Sequence, residues 1–323
     1  MLVIGEVRTC LLQNTAAANL TDVAELLRLE PGERVRTSER PVAYAVSPAR
    51  LTGMDCRLPT ASGARVRGVG TATARTTVTG GRILQGSVFA RLERGASDRR
   101  LPWSHYLAMP GVIQSTGRFN PTDVANGFLT DPLPDTTVDF GSVSEQVIRQ
   151  VQANPRLDHV TPFKTRRTRL KWVASAGGLL YGEFTIADDN LRNFTISCAT
   201  APVQAVVELC EDLALHDWLL TTLLRIVERS QIGASTSEHV LARLRPAIDH
   251  LLHLWMPGAR VADALRGVWD DLDRGPGFSP QWQATVARVR DQLSVATFER
   301  LSQLRPTMFE QLASGGGSVG GAR

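Results

Sequence analysis

Lysine and long apolar runs are scarce in this sequence of 323 residues. Only two of its 36 basic residues are lysine, Lys164 and Lys171, and such an arginine excess is typical of proteins from GC-rich genomes. No apolar run approaches the ~18–20 residues that span a membrane. The first segment, MLVIGEVRTCLL, lacks the basic residues that precede the apolar part of a signal peptide. These absences predict a cytoplasmic protein with no membrane association.

Cysteine is also rare. The four cysteines, Cys10, Cys56, Cys198 and Cys210, lie far apart and form no C-x-x-C pair. In a chain of this length, that spacing excludes a disulfide framework and a zinc ribbon. We interpret the four side chains as reduced thiols in a hydrophobic core.

Catalytic and phosphate-binding motifs are scarce: the sequence contains no H-E-x-x-H or P-loop pattern, and its G-x-S-x-G match, at residues 316–320, lies in the Gly/Ser-rich C-terminal segment. In RGVGTATA, Thr73 stands where G-x-G-x-x-G requires its third glycine. Ser104 and His105 are adjacent, and adjacent side chains on a strand point in opposite directions, so they cannot act together as nucleophile and base. The sequence therefore favours a non-catalytic protein without a cofactor.

The hydrophobic period changes near residue 200. The earlier segments are short, β-branched and punctuated by glycine, with a period of 2, whereas the later residues follow the helical period of 3.6. We predict an α+β protein with a mixed β-rich domain over residues 1–200 and a C-terminal helical bundle of four or five helices over 201–312. Residues 313–323 are rich in glycine and serine and predict a disordered tail.

Individual elements can be predicted within these two regions. Residues 64–93 predict two or three strands joined at the Gly80-Gly81 pair, which is typical of a tight hairpin turn. Residues 165–198 predict a three-stranded meander. Residues 202–232 predict one long helix, and the capping-box spacing that begins at Ser142 predicts the start of another.

The segment CEDLALHDWLL, Cys210–Leu220, places a thiol, three carboxylates and a histidine on the long helix. Asp212 precedes His216 by four residues, so one helical turn brings them together, and Asp249 and His253 repeat the spacing. Two such pairs on neighbouring helices can converge on a metal ion inside a bundle. We favour the alternative in which His216 is a core histidine held in one tautomer by Asp212, while the flanking acids face solvent.

Positive charge is concentrated in two segments. Residues 57–100 contain nine arginines and two acidic residues, and further basic side chains alternate along the strand predicted near residue 169. The candidate basic patch consists of Arg65, Arg67, Arg75, Arg167, Arg169 and Lys171. Clustered charge is enough for non-specific nucleic-acid binding, but residues 57–100 offer only Phe89 for base stacking. We therefore favour a solvated arginine face, or one that docks an acidic protein, over nucleic-acid binding.

Several segments together resemble an uncharacterised protein family of high-GC actinobacteria. They are GEVRTCLL, SERPVAYAVSP, MDCRLPTASGARVR, RRLPWSHYLAMPGVI, ELCEDLALHDWLLTTLLRIVER, HLWMPGARV and GFSPQWQATVARVRDQLS. Members of that family sit in a gene neighbourhood with a variant P-loop protein and a methyltransferase-like protein. The resemblance implies a component of a conserved multi-protein system, and it implies no catalytic residue, since no activity is assigned to the family.

The expected function is that of a non-catalytic, cytoplasmic interaction or regulatory protein with a protein partner, such as a P-loop NTPase. The first alternative is a metal-binding protein or enzyme that uses the Asp/His pairs of the helical region. The second is nucleic-acid binding through the arginine-rich strands. The sequence leaves the oligomeric state open.

Overall fold

A computed structural model describes residues 2–28, 30–97, 99–134, 136–198, 201–232, 235–274 and 277–315, without the side chains of residues 300 and 303–315. Ten strands form one mixed sheet, and helices cover both of its faces. The predicted α+β class is confirmed. Of the predicted tail, residues 313–315 belong to the last helix instead, and the rest lies outside the described residues.

The strands follow one another along the chain with unequal lengths. They are β1 (Leu2–Leu11), β2 (Arg36–Ser38), β3 (Tyr44–Val46), β4 (Arg50–Leu58), β5 (Val66–Thr79), β6 (Ile83–Arg94), β7 (Val112–Thr116), β8 (Thr168–Ser175), β9 (Tyr181–Ile186) and β10 (Leu191–Ser197). Their order in the sheet is β2-β3-β5-β7-β6-β1-β8-β10-β9, and β4 pairs with β5. The neighbours β6–β7 and β8–β10 are parallel.

The helices divide between the two faces of this sheet. They are α1 (Leu20–Leu27), α2 (Trp103–Leu107), α3 (Pro121–Leu129), α4 (Phe140–Gln152), α5 (Val203–Arg229), α6 (Ser237–His250), α7 (Arg266–Leu272) and α8 (Phe278–Gly315). Apolar residues of α1, α3 and α4 pack on one face, and those of α5 to α8 pack on the other. None of the described helices combines the length and the apolarity that crossing a membrane requires.

The hairpin between β5 and β6 turns where the sequence predicted it. Gly80 and Gly81 have φ angles of 58° and 63°, a left-handed conformation that a β-carbon disfavours. A β-carbon on Gly81 would also lie 1.9 Å from the carbonyl oxygen of Ala18. This turn therefore depends on glycine for both its conformation and its close packing.

The predicted meander over residues 165–198 is wrong in its strand order. Strand β10 lies beside β8 in parallel, and β9 pairs with β10 at the edge of the sheet. Phe194 and Ile196 of β10 are fully buried, whereas four of the six residues of β9 are exposed and none is buried. Burial of these two side chains favours the interior position for β10, which leaves β9 at the edge.

The long helix is confirmed, since α5 extends over most of the predicted residues 202–232. Residues 209–220 are buried without interruption, because α5 lies between the sheet and the other C-terminal helices. One hydrophobic cluster combines residues of β1, β8 and β10 with residues of α5 to α8. The secondary structure thus changes from strand to helix between β10 and α5, and a shared core joins the segments on the two sides of this change.

The capping residue of α4 differs from the prediction. Asp139, not Ser142, caps the helix, and its carboxylate accepts a hydrogen bond of 3.0 Å from the backbone N–H of Ser142. Aspartate and serine are both good caps, and the three-residue spacing alone does not choose between them.

Candidate functional site

The acidic residues of the Cys210–Leu220 segment are all buried. The expectation that the acids flanking His216 face solvent is therefore wrong. Residues 209–220 of the helix are enclosed on every side, so Glu211, Asp212 and Asp217 each bind a donor from another part of the fold instead of water. Asp217, for example, accepts a hydrogen bond of 2.9 Å from Nε of Arg192 on β10.

Glu211 forms an ion pair with two arginines. Its carboxylate oxygens lie 2.7 Å from Nε of Arg75 on β5 and 2.6 Å from Nη2 of Arg260, which precedes α7. Burial raises the pKa of Glu211, but the charges and hydrogen bonds of the two guanidinium groups outweigh it and hold that pKa at about 2. The Arg260 guanidinium also lies 4.9 Å from the centre of the Tyr44 ring. These contacts join the sheet, α5 and the segment before α7.

His216 has partners on both ring nitrogens. Nδ1 lies 2.7 Å from the backbone oxygen of Asp212, and Nε2 accepts from the backbone N–H of Met256 at 3.3 Å. The Asp212 carboxylate accepts a hydrogen bond of 2.8 Å from the N–H of Gly258. The structure therefore places His216 in the core, held by the backbone of Asp212 more closely than by its carboxylate, which is 3.5 Å away.

The second Asp/His pair does not join the first. Asp249 and His253 are both exposed, and the Asp249 carboxylate binds Nε of Arg245 at 3.2 Å. Within the described parts of the chain, no group of three or more His, Cys, Asp or Glu residues is arranged to hold a metal ion. The geometry thus gives no support to a shared site of Asp212, His216, Asp249 and His253.

The six residues of the candidate basic patch do not form one exposed surface. Five of them bind carboxylates: the pairs are Arg67–Asp55 (2.7 Å), Arg75–Glu211 (2.7 Å), Arg169–Glu6 (3.1 Å), Lys171–Asp131 (2.8 Å) and Arg167–Glu145. Arg75 and Lys171 are buried on opposite faces of the sheet, Arg75 against α5 and Lys171 against the end of α3. Arg65 is exposed.

One exposed apolar surface is the β9 edge, which we define as Leu179, Leu180, Tyr181 and Ile186. Their exposed fractions are 82%, 43%, 56% and 70%. Among the described strands, β9 has one neighbour in the sheet, β10. A groove of about 250 Å³ lies beside Ile186 and is lined by apolar side chains of α5 and α8, such as Leu224. The β9 edge thus combines a sheet edge with clustered apolar side chains.

The opposite edge of the sheet has the usual protection against strand pairing. Strand β2 is three residues long and polar, and its Arg36 forms an ion pair of 2.7 Å with Glu208 on α5. Short length and charge both discourage pairing with another chain. Strand β9 is twice as long and has Glu183 as its single charge. The sequence signal for this surface is the pair of leucines, Leu179 and Leu180, that follows Gly177-Gly178.

The chain matches no protein-family model, no curated protein and no solved structure. Its function has to be inferred from its own geometry.

Proposed function

We propose that this protein is a non-catalytic interaction subunit of a multi-protein system and that it binds its partner through the β9 edge. The observation that carries the proposal is the exposure of four apolar side chains at a sheet edge six residues long. The proposed partner is the P-loop protein that the family resemblance implies.

The physical argument begins with the backbone of β9. An edge strand presents unpaired N–H and C=O groups to which an extended segment of another protein can add as a further strand. The apolar side chains then contribute the burial of apolar surface, about 25 cal/mol per Å². Monomeric proteins avoid exposed apolar edges because these promote association.

The chemistry of the partner segment follows from β9 itself. Glu183 is its single charged residue and is exposed, so a basic residue opposite it in an added strand gains a cross-strand ion pair. The flanking Tyr181 and Ile186 favour apolar residues at the ends of the added strand. We therefore expect an extended, apolar partner segment that carries one central lysine or arginine.

The ionisable residues of α5 support a non-catalytic role. Glu211 and Asp217 neutralise buried arginines, and His216 has both ring nitrogens engaged by backbone groups. These pairings stabilise the fold and leave the groups bound to their partners. The same reasoning applies to Lys171, whose ammonium group binds the Thr130 carbonyl and the Asp131 carboxylate at 2.8 Å each.

The test is co-elution of the purified protein with the P-loop protein in size-exclusion chromatography. Wild type should form the complex, and Ile186→Asp should weaken it at least tenfold. Phe298→Asp is the matched control, since Phe298 is 72% exposed and lies on α8. Failure of the wild-type proteins to associate would refute the partner, and a complex that tolerates Ile186→Asp would refute the edge as its interface.

A further inference from the structure

A second concave surface lies at the C-terminal end of α5, where this helix meets α6. This cleft has a volume of about 680 Å³, within the 300–1,000 Å³ typical of small-molecule sites. It shares no lining residue with the groove beside the β9 edge. The cleft is thus a separate site from the proposed protein interface.

The charged side chains that line the cleft are mostly basic. Lys164, Arg229 and Arg243 contribute three positive charges, against one negative charge from Glu228. All three basic residues are exposed, and among the described residues none of them has a carboxylate ion pair. They differ in this respect from most of the predicted basic patch, whose charges are neutralised within the fold.

Arg225, one helical turn before Arg229 on α5, adds to the positive potential. Its pKa is lowered, first by burial and then by the positive charges of Arg166, Arg192 and Arg229, although Asp189, which pairs with Arg166, raises it. Like charges crowded together in this way raise the local concentration of anions. The cleft therefore favours an anionic ligand.

One wall of the cleft is aromatic and apolar. The Phe163 ring stacks on the His250 ring, with centroids 6.0 Å apart and planes inclined by 5°. Ile226 and Pro246 line the cleft beside Phe163. A flat, rigid wall next to three cations suits a ligand that has both a planar ring and a negative charge.

We propose that this cleft binds a small phosphorylated molecule that carries a planar aromatic ring, the chemistry of a mononucleotide. Arg229 and Arg243 bind phosphate oxygens through their planar guanidinium groups, and Lys164 adds a point charge. The ring packs on Phe163. This inference is independent of the β9 interface, because the two use different residues.

The experiment is isothermal titration calorimetry of the full chain with AMP, adenosine and inorganic phosphate. AMP should bind more tightly than either adenosine or phosphate alone. Lys164→Gln and Arg229→Gln should each weaken AMP binding at least fivefold, and Phe163→Leu should weaken the binding of AMP but not of phosphate. Circular dichroism of each variant verifies that the fold is retained.

Arg245→Gln is the matched control. Arg245 is exposed on α6 but is paired with Asp249 and does not line the cleft, so this variant should bind AMP as wild type does. Absence of AMP binding at millimolar concentration, or an equal loss in Arg245→Gln, would overturn the proposal. So would tighter binding of a single-stranded oligonucleotide with steep salt dependence, since that result indicates a nucleic-acid surface.

Discussion

The Arg75 guanidinium on β5 and the Glu211 carboxylate on α5 are 2.7 Å apart, although 136 positions separate them in the sequence. Their side chains are 6% and 0% exposed. A charge this deeply buried is tolerated only with close, hydrogen-bonded partners. The pair therefore fixes where α5 lies on the sheet, and Arg260 completes it from the other side.

Removal of Glu211 should destabilise the fold severely. Glu211→Ala leaves two buried guanidinium groups without their carboxylate, and we expect a loss of about 3–5 kcal/mol in the free energy of unfolding, measured by urea denaturation. Glu25→Ala is the control, because Glu25 pairs with Arg28 on the surface and such pairs contribute ~0–1 kcal/mol. Similar losses in the two variants would contradict a structural role for the buried pair.

Glu211 should also make stability depend on pH in acid. The folded-state pKa is about 2, below the ordinary value of 4.5, so this stabilisation is present above pH 4.5 and is lost as the pH falls toward 2. This difference between the folded and the ordinary pKa corresponds to a stabilisation on the order of 3 kcal/mol. Unfolding free energies measured from pH 5 to 2.5 should fall less steeply for Glu211→Gln than for wild type, and parallel curves would contradict the assignment.

Lys171 and Asp131 should show strong coupling. Asp131→Ala leaves the fully buried ammonium group of Lys171 with only the Thr130 carbonyl as a hydrogen-bond partner. Because Asp131 is itself about one-third exposed, we expect a moderate loss of about 2–3 kcal/mol in the free energy of unfolding. Lys171→Met removes the charge itself and should restore part of that stability in the double variant. Additive effects in the double-mutant cycle would show that the two side chains do not interact.

Gly5 should not tolerate a larger residue. A β-carbon there would lie 2.3 Å from two ring carbons of Trp172, which is fully buried. We expect Gly5→Ala to lower the free energy of unfolding by about 1–3 kcal/mol and to lower the melting temperature. Gly178→Ala is the control because nothing lies within 4 Å of its added β-carbon. An unchanged melting temperature for Gly5→Ala would contradict this packing.

His216 should occupy a single neutral tautomer. Nδ1 faces the backbone carbonyl of Asp212, and Nε2 receives the N–H of Met256, so the proton belongs on Nδ1. Nitrogen-15 NMR of the side chain at neutral pH should show a protonated Nδ1 and an unprotonated Nε2. A proton on Nε2 would contradict the hydrogen bond from Met256.

Local patterns in the sequence were sufficient to predict the Gly80-Gly81 turn and α5, and the apolar run at residues 2–12 is likewise typical of a strand such as β1. Each depends on neighbouring residues alone: an apolar run, a glycine pair that permits positive φ, and a helical period sustained over many turns. The order of β8, β9 and β10 was not predictable in this way. It depends on which strand buries more apolar surface against α5, and this is a property of the assembled sheet.

The environment of α5 was equally hard to predict. From the sequence, Glu211 and Asp217 are expected on the solvent-facing side of an amphipathic helix, because a charged residue on a helix usually faces water. Their arginine partners, Arg75 and Arg192, lie on strands distant in the sequence. In the sequence, Arg75 simply lies among the small and β-branched residues of its strand, and this pattern names no partner.

The central position of β1 has a consequence for synthesis of the chain. Leu2 pairs with Leu92 on one side and with Ser175 on the other, so both neighbours of this strand are translated after it. At ~5–20 residues per second, β1 leaves the ribosome on the order of ten seconds before β8. During that interval an apolar strand has no partner on one side, and the growing chain depends on β6, or on a chaperone, to keep it from aggregating.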